Sequence, residues 1–305
     1  MPIRIPDSLP AHAILESENI FVMTEHRAMH QDIRPLNVLI LNLMPTKIVT
    51  ETQLLRKLSN TPLQIHVEFL QTASYTSKHA DPSHMAQFYC TFDQIKDRRY
   101  DGMIITGAPL DYVPCEKTAY WDEVCEIMEW TKTHVHCTFH LCWGAYAGLY
   151  YHYGVEKLDL DRKLFGVFPH EIRKKTSPLF RGFDDIFMAP HSRHTETPSE
   201  AIHACKDLTI LAESEKAGVF LAMAEEGKKI FVAGHPEYDR YTLNNEYHRD
   251  LDKGLPIQIP YNYYPDDDPE QRPLLQWRSH CNNLYSNWLN YYVYQTTPYD
   301  LTEIR

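Results

Sequence analysis

Apolar residues in the first half of the chain occur in short unbroken runs, which are separated by helix-length segments with one apolar side. The runs predict strands at residues 36–43, 65–73, 101–109 and 135–141, and the segments between them predict helices at 47–58 and 118–134. Unbroken runs are typical of parallel strands that are buried on both faces. The alternation therefore predicts an α/β fold, in which right-handed crossovers join the strands of a parallel sheet flanked by helices.

Shorter apolar segments follow residue 154. They predict strands at 184–190, 208–214, 218–224 and 229–237, a helix at 243–251 and an aromatic-rich C-terminal helix at 274–293. Residues 254–273 are rich in Pro, Tyr and Asp and lack periodicity, which indicates a wrapping loop. We divide the chain into an N-terminal arm (1–34), a central α/β domain (35–252) and a wrapping loop with a C-terminal helix (253–305).

Ligands of a parallel sheet bind beyond the carboxyl ends of its strands. Three loops follow predicted strands in this way, at residues 44–47, 107–112 and 142–144. Residues 74–93 are polar and irregular, and they include a further candidate binding loop made of Ser74, Thr76, Ser77, Lys78 and His79.

The segment around Cys142 changes from a strand pattern to small, helix-compatible residues within about a dozen positions, as in a nucleophile elbow. Gly144 would let the helix start close beside the strand. Cys142 would then stand clear of the sheet edge at a helix N-terminus, where free N–H groups favour the thiolate. The backbone N–H of Trp143 is placed to receive an oxyanion. The alternative is that Cys142 is one more buried structural cysteine.

A base for this thiol occurs in the sequence Gly-His-Pro-Glu at the end of the last predicted strand. His235 and Glu237 lie on one side of an extended segment, so Glu237 can hold one ring nitrogen and leave the other for Cys142. Alone, this segment would more often be a surface cap. Together with Cys142 it predicts a Cys–His–Glu triad. His140 should point to the opposite strand face, so no metal site is expected.

Composition narrows the class of protein. The chain has 305 residues, of which 43% are hydrophobic and 23% charged, as is typical of globular proteins. A formal net charge of −11 argues against nucleic acid and anionic membranes as partners. Seven scattered cysteines without a CxxC pair predict reduced thiols and a cytoplasmic location. We expect neither a signal peptide nor a membrane span, because the apolar runs are too short.

The sequence also resembles one family along nearly its whole length: the homoserine O-acyltransferases of methionine biosynthesis, which have a flavodoxin-like, class I glutamine amidotransferase-like fold. The matching strings occur in order and include ENIFVMTEHRAMHQDIRPL, NLMPTKIVTETQLLR, TSKH, MIITGAP, YWDEVCEIMEW, CTFHLCWGA, GLYYHYG, APHSRHTE, AGHPEYDRYTL and WRSHCNNLYSNWLNYYVYQTTPYDL. Their number and order, rather than any one string, make the resemblance specific.

The resemblance implies ping-pong transfer of an acyl group from acyl-CoA, the co-substrate, to the side-chain hydroxyl of L-homoserine, with no resident cofactor. Cys142 would carry the acyl group as a thioester, His235 would accept protons and Glu237 would orient His235. The oxyanion would be held by the Trp143 N–H and the loop around Thr46 and Lys47.

The resemblance further assigns substrate contacts to Lys163, Ser192 and Arg249. Arg249 can bind the amino-acid carboxylate with two parallel hydrogen bonds, and Ser192 can bind polar groups of the substrate. Lys163 by itself would be interpreted as a solvated surface charge.

Two positions depart from the family pattern. Position 111, the family's selector of the acyl-CoA, is Gly with succinyl-CoA and Glu with acetyl-CoA, and here it is Asp111. A carboxylate would repel the free carboxylate of a succinyl group, so we predict acetyl-CoA as the donor, with succinyl-CoA as the alternative. Tyr146 replaces an expected Gln, which leaves L-serine open as an acceptor, because one methylene is worth only about 1–3 kcal/mol in a pocket.

Two other classes of function compete with acyl transfer. A glutamine amidotransferase or cysteine hydrolase on the same fold would cleave glutamine or a peptide without CoA. A non-catalytic binding protein would tolerate the loss of Cys142. The aromatic C-terminal helix and the N-terminal arm offer apolar surface that predicts a homodimer.

Overall fold

The predicted strands lie side by side in one sheet of the computed structural model, which describes residues 3–6, 8–17, 23–24, 34–75, 80–298 and 301–304. The strands of this part of the chain are β1 Ile3–Ile5, β2 Met23–Thr24, β3 Leu36–Leu41, β4 Ile65–Leu70, β5 Tyr89–Cys90, β6 Tyr100–Ile105, β7 Val135–Leu141, β8 Leu158–Ile172, β9 Ile186–Glu196, β10 Leu208–Ser214, β11 Gly218–Ala224 and β12 Lys229–Val232. The α-helices are α1 Pro10–Ser17, α2 Lys47–Leu58, α3 Pro82–Phe88, α4 Phe92–Ile95, α5 Trp121–His134, α6 Trp143–Tyr153, α7 Ser199–Ala204, α8 Thr242–Asp252 and α9 Arg278–Asn287.

The sheet has a parallel part and an antiparallel part. Its strand order is β2-β1-β4-β3-β6-β7-β12-β11-β10-β8-β9, and β5 pairs with β4. The pairs from β2 to β12 are parallel, and those from β12 to β9 are antiparallel. β12 joins the two parts, because it is parallel to β7 on one side and antiparallel to β11 on the other.

Helices cover both faces of the parallel part. Successive residues of β3 point to opposite faces, as strand geometry requires: Val38 and Ile40 pack with α1, α2 and α9, whereas Leu39 and Leu41 pack with α5 and α6. Both faces are therefore buried, which explains the unbroken apolar runs.

The structure differs from the predicted elements where polar residues form regular structure. The segment predicted to be irregular, 74–93, contains α3, β5 and the start of α4, and the candidate binding residues Thr76, Ser77, Lys78 and His79 lie outside the described residues. The strand predicted at 184–190 continues to Glu196 through the polar cluster. The long strand β8 was not predicted, because its first half is charged and exposed and it contains Pro169.

The two ends of the chain join the same sheet and core. β1 lies between β2 and β4, with Ile3 opposite Ile65 of β4. The wrapping loop is anchored to β8 by the hydrogen bonds from the Tyr261 N–H to the Phe165 carbonyl (2.9 Å) and from the Val167 N–H to the Tyr261 carbonyl (2.8 Å). The C-terminal helix continues past α9 as a π-helix, Trp288–Tyr294. No helix in the described ranges has the length and apolar character needed to cross a membrane.

Candidate active site

The site lies where four neighbouring parallel strands end. β3, β6, β7 and β12 are adjacent in the sheet, so the loops that follow them meet at one edge. The Thr106 hydroxyl, after β6, accepts a hydrogen bond of 2.8 Å from the Leu43 N–H, after β3. A methyl group built on Gly107 would lie 3.2 Å from Cys142 Cβ, after β7. The three loops predicted to bind a ligand are therefore in contact.

Cys142 has the strained conformation of a nucleophile elbow. Its backbone angles are φ 47° and ψ −114°, a region that residues with a side chain rarely occupy. The Cys142 N–H donates to the Val232 carbonyl of β12 at 2.8 Å, and α6 begins at the next residue. At Gly144 a Cβ atom would lie 2.7 Å from the Ile105 carbonyl oxygen, so only glycine allows this close approach of helix and strand.

His235 is held by contacts on three sides. Its backbone N–H donates to the Pro190 carbonyl at 2.9 Å. Its Nδ1 lies 2.7 Å from Glu237 Oε1, and its ring stacks on the Tyr238 ring with centroids 4.1 Å apart. Cys142 is close enough to the ring to interact with it, because it raises the pKa of His235. The structure thus brings Cys142, His235 and Glu237 together, although the histidine follows the cysteine by 93 positions in the sequence.

The electrostatics of this group favour a charged imidazole. Burial by itself would lower the pKa of His235, but negative charge and hydrogen bonding at Cys142 and Glu237 raise it well above its usual value. The His235 and Glu237 side chains are only 5% and 8% exposed. Cys142 is 4% exposed, so the sulfur is almost covered rather than standing clear of the sheet as predicted. The arrangement is suited to nucleophilic catalysis by a thiolate that is paired with an imidazolium.

The predicted oxyanion residues occupy two helix N-termini. Trp143 is the first residue of α6, and the first N–H groups of a helix have no acceptor within it. Thr46 is exposed and precedes α2, where its carbonyl accepts from the Thr50 N–H at 3.1 Å. Lys47 is buried at the start of α2, and its ammonium group donates to the Asn42 carbonyl at 2.5 Å.

A buried polar network surrounds Lys47. The Asn42 side chain donates to the Tyr89 hydroxyl at 2.8 Å, and this hydroxyl donates to Glu51 at 2.5 Å. His84 also contacts the Glu51 carboxylate, at 2.9 Å. Burial lowers the pKa of Lys47 to about 8, although the Glu51 charge partly offsets this effect. Sequence reasoning missed Tyr89 and His84, because they lie in the segment that was predicted to be irregular.

Two of the predicted substrate residues meet at a carboxylate that was not predicted. Lys163 Nζ lies 3.2 Å from Glu246 Oε2, and the Ser192 hydroxyl donates to the same oxygen at 2.5 Å. The second oxygen, Oε1, accepts from the Tyr238 hydroxyl at 3.2 Å, and Tyr238 stacks on His235. The only sequence signal for Glu246 is its position one turn before Asp250 on α8.

Arg249 lies on the same helix but is more exposed. Its side chain is 52% exposed, and its Nε and a terminal nitrogen are both 2.8 Å from Asp250 Oδ1. Asp250 also contacts Lys163, at 3.3 Å. The structure therefore places all three predicted substrate residues around one patch of α8, β8 and β9.

The two residues that depart from the family pattern line one cavity. This cavity has a volume of about 410 Å³, and Asp111, Tyr146, Tyr150 and Lys157 belong to its lining. Asp111 Oδ2 accepts from the His194 N–H at 3.1 Å. Tyr146 is within electrostatic range of both Cys142 and Asp111. The Tyr146 backbone N–H donates to the Cys142 carbonyl at 3.1 Å, so the cavity adjoins the first turn of α6.

His140 takes no part in the site. Its Nδ1 lies 3.2 Å from the Ile230 carbonyl, and its ring stacks on Phe231, so it faces away from Cys142 as expected from the strand period. Within the described residues, no group of three His, Cys, Asp or Glu side chains is arranged to hold a metal ion.

Comparison with known proteins relates nearly the whole chain to one family. A model of the homoserine O-succinyltransferase family matches residues 2–299. A homoserine O-acetyltransferase of Lachnoclostridium phytofermentans is 62% identical over 301 residues, which are 99% of this chain and 100% of the relative. A homoserine O-acetyltransferase of Agathobacter rectalis is 61% identical over 305 residues, which are 100% of this chain and 98% of the relative.

The solved structures support the fold. A glutamine amidotransferase from Thermotoga maritima superimposes with a TM-score of 0.53 at 13% sequence identity, over 86% of this chain and 100% of that chain. At this identity the similarity concerns the fold alone, and it confirms the expected glutamine amidotransferase-like architecture.

Proposed function

Since the chain belongs to the homoserine O-succinyltransferase family, we propose that it transfers an acetyl group from acetyl-CoA to the side-chain hydroxyl of L-homoserine. The observation that carries the proposal is the placement of His235, whose pKa is raised by neighbouring Cys142 and whose Nδ1 is 2.7 Å from Glu237. We propose that the reaction takes place in the cytoplasm, where thiols stay reduced.

In the first half-reaction, the Cys142 thiolate attacks the thioester carbonyl carbon of acetyl-CoA. The negative charge on the carbonyl oxygen is stabilised by the Trp143 N–H and by the positive end of α6. The tetrahedral intermediate collapses, the C–S bond to CoA breaks, and the leaving thiolate takes the proton from the His235 imidazolium. The products are free CoA and an acetyl thioester on Cys142.

In the second half-reaction, homoserine replaces CoA. The neutral His235 takes the proton of the homoserine hydroxyl as its oxygen attacks the thioester carbon. The Cys142 thiolate then leaves, next to the imidazolium that has just formed. Throughout, Glu237 holds Nδ1 of the ring, so that the other nitrogen faces the reacting atoms.

Two observations favour acetyl over succinyl transfer. The relatives at 61% and 62% identity are homoserine O-acetyltransferases. Asp111 lies beside the cavity that reaches Tyr146, so the carboxylate of a succinyl group placed there would face another carboxylate. Four carboxylate side chains and Lys157 line this cavity, which suits a neutral acyl group better than an anionic one.

The charges around α8 fit an amino-acid acceptor. Glu246 is a partner for the ammonium group of homoserine, and Arg249 and Lys163 are partners for its carboxylate. The ion pairs of these residues, Lys163 with Glu246 and Arg249 with Asp250, hold the patch in place and would be exchanged for contacts with the substrate. L-serine, shorter by one methylene, is the competing acceptor.

The experiment that tests the proposal is mass spectrometry of the intact protein after mixing with acetyl-CoA or succinyl-CoA without acceptor. We expect a mass gain of one acetyl group, located on Cys142 by digestion and discharged by L-homoserine. Cys142→Ala should gain nothing. The matched control Cys125→Ala removes a half-buried thiol of α5 that lies outside the cavity lining and should be acetylated normally.

Other results would point to other functions. A succinyl adduct alone would overturn the assignment of the donor. Hydrolysis of glutamine without any acyl adduct would identify an amidotransferase-type hydrolase, which has the same fold. A Cys142→Ala variant with undiminished acetyl transfer would contradict the mechanism.

A further inference from the structure

Tyr238 contacts both the proposed base and the proposed acceptor patch with one side chain. Its ring lies nearly parallel to the imidazole of His235, with 12° between the ring planes and 4.1 Å between the centroids. Its hydroxyl donates to Glu246 Oε1 at 3.2 Å. In the proposed mechanism His235 is the base and Glu246 binds the ammonium group of the acceptor, whereas Tyr238 is not used.

Backbone hydrogen bonds hold Tyr238 in this position. Its N–H donates to the His235 carbonyl at 3.2 Å, which closes a turn with Pro236 and Glu237 at its centre. Its carbonyl accepts from the Trp277 indole N–H at 2.9 Å. The residue is only 7% exposed. Because the backbone is fixed on both sides and the side chain is buried, the ring stays against the imidazole.

The carboxylate of Glu246 is held by three donors. Tyr238 binds Oε1, while the Ser192 hydroxyl donates to Oε2 at 2.5 Å and Lys163 Nζ lies 3.2 Å from the same oxygen. Burial and the Glu246 charge raise the pKa of Tyr238 well above its usual value, so its hydroxyl keeps its proton and remains a donor. Exchange of Lys163 for the substrate would leave the bond from Tyr238 in place.

One rigid side chain therefore joins two groups that act on opposite ends of the acceptor. A tyrosine ring does not bend, so its hydroxyl stands at a fixed distance from the face that stacks on His235. The spacing between the Glu246 carboxylate and the imidazole is set accordingly. L-serine has one methylene fewer than L-homoserine between its ammonium group and its hydroxyl, so both acceptors cannot fit this spacing equally well.

We infer that Tyr238 is a positioning residue that sets the spacing between Glu246 and His235, and that it thereby favours L-homoserine over L-serine as the acceptor. The inference rests on the proposed function, in which Glu246 binds the ammonium group and His235 takes the proton of the hydroxyl. Tyr238 acts on the reacting atoms only through these two side chains. It is therefore a determinant of acceptor length rather than a catalytic residue.

The test measures the second half-reaction by itself. Acetyl-enzyme is formed with acetyl-CoA, desalted rapidly and mixed with L-homoserine or L-serine, and intact-protein mass spectrometry follows the loss of the acetyl group. Tyr238→Phe keeps the stacked ring and removes only the donor to Glu246. We expect the rate constant for L-homoserine to fall about tenfold. The constant for L-serine should fall less, so that the homoserine-to-serine ratio decreases about threefold or more.

The matched control is Tyr264→Phe. It removes the hydroxyl of another buried tyrosine that donates to α8, in this case to Asn244 Oδ1 at 2.8 Å. Both rate constants of this variant should equal those of the wild type. A second variant, Glu246→Gln, weakens the same hydrogen bond from its other end, because a neutral amide oxygen is a poorer acceptor than a carboxylate. Its homoserine-to-serine ratio should also decrease.

An unchanged homoserine-to-serine ratio in folded Tyr238→Phe would overturn the inference, since a merely structural role lowers Tm and slows both acceptors alike. A wild type that uses both acceptors equally well would also overturn it. Should Tyr238→Phe fail to fold, the ratio in Glu246→Gln decides the matter. The proposed function fails separately, if the wild-type protein takes up no acetyl group from acetyl-CoA or if neither acceptor removes it.

Discussion

At the scale of single residues, the site depends on the charge that neighbours impose on one another. His235 is buried, and burial opposes its charged form, yet the neighbouring Cys142 and Glu237 reverse the balance and raise its pKa. Lys47 shows the opposite outcome, because its single carboxylate neighbour, Glu51, does not compensate for burial. The same two effects, burial and neighbouring charge, therefore favour the charged imidazole at His235 and lower the pKa of the ammonium group at Lys47.

Asp111 should decide between acyl donors. Asp111→Gly removes the carboxylate that faces the acyl group, so we expect the ratio of kcat/KM for succinyl-CoA to that for acetyl-CoA to rise about tenfold or more, which corresponds to roughly 1.4 kcal/mol of relieved repulsion. Steady-state kinetics with both donors measures this ratio.

The matched variant Asp111→Asn separates charge from size. It keeps an oxygen that can accept from the His194 N–H but removes the negative charge. If the ratio of kcat/KM for the two donors rises in Asp111→Gly but not in Asp111→Asn, lack of space rather than charge repulsion excludes succinyl-CoA.

The lowered pKa of Lys47 predicts that the enzyme loses activity in mild alkali. Because its pKa is lowered to about 8, the ammonium group is present below that pH and is lost as the pH rises through it. If this charge stabilises the oxyanion, kcat/KM should fall above about pH 8. Below about pH 8, Lys47→Met should lower kcat by roughly 10²–10³-fold, as for other oxyanion donors.

Lys47→Arg is the matched variant, since a guanidinium group keeps its proton throughout this range. Its kcat/KM should be reduced by the altered shape but should no longer fall near pH 8. A decline at the same pH in Lys47→Arg would assign the alkaline limb to another group.

At the scale of elements, the turn from β7 into α6 concentrates the constraints of the site. Cys142 has positive φ, and the helix that follows starts against the end of β6. β12 lies on the other side of β7, with Val232 opposite Leu141, and this pairing carries the chain toward His235. Sheet pairing, rather than loop contacts, therefore brings the base to the nucleophile.

Gly144→Ala should damage both stability and reactivity. The new methyl group would lie 2.7 Å from the Ile105 carbonyl, so α6 must move away from β6. Overpacking of this kind costs about 1–3 kcal/mol, and the displacement changes the direction of the Cys142 thiol. Chemical unfolding and the rate of Cys142 alkylation by iodoacetamide measure the two effects.

A control at the other end of the same helix is Gly154→Asn. Gly154 has φ +66°, which Asn tolerates better than most residues, and no atom lies within 4 Å of the added Cβ. It should leave alkylation unchanged. Equal losses of stability and of alkylation rate in Gly144→Ala and Gly154→Asn would show that these losses come from the helix as a whole and not from its contact with β6.

At the scale of the whole molecule, the C-terminal segment completes the core of the same chain. Tyr285, Trp288, Leu289 and Val293 are each fully buried. These aromatic and apolar residues were the main reason to predict a homodimer, and packing within one chain accounts for most of them. The homodimer stays a prediction, with exposed Tyr294 as one remaining apolar side chain.

The folded protein should lose stability in weak acid. Burial lowers the pKa of His140 and of His170 to about 3, whereas in the unfolded chain these groups bind a proton near pH 6.5. Between these values the unfolded state binds more protons, so the free energy of unfolding decreases as the pH falls below about 6.5. At pH 5 each of these histidines lowers the free energy of unfolding by about 2 kcal/mol.

Urea unfolding at pH 7.5 and pH 5.0 measures this effect. His140→Asn removes one of these titrating groups, so its loss of stability between the two pH values should be smaller by about 2 kcal/mol. The same pH dependence in His140→Asn and in the wild type would contradict the assignment to His140.

The sequence by itself determined the central parallel strands of the fold and led to three residues that the structure brings together, Cys142, His235 and Glu237. Both leave local patterns: strands buried on two faces are unbroken apolar runs, and an elbow needs a glycine two residues after its nucleophile. Polar strands leave no such pattern, which is why β8 and the segment around Tyr89 escaped prediction.

Only the tertiary structure decided which distant groups meet. Glu246 joins Lys163, Ser192 and Tyr238 because α8 packs beside β8 and β9. Lys57 meets Asn282 because α2 and α9 cover the same face of the sheet. The charge of a buried group depends on burial and on neighbours from other elements, and neither can be read from the residues adjacent to it in the chain.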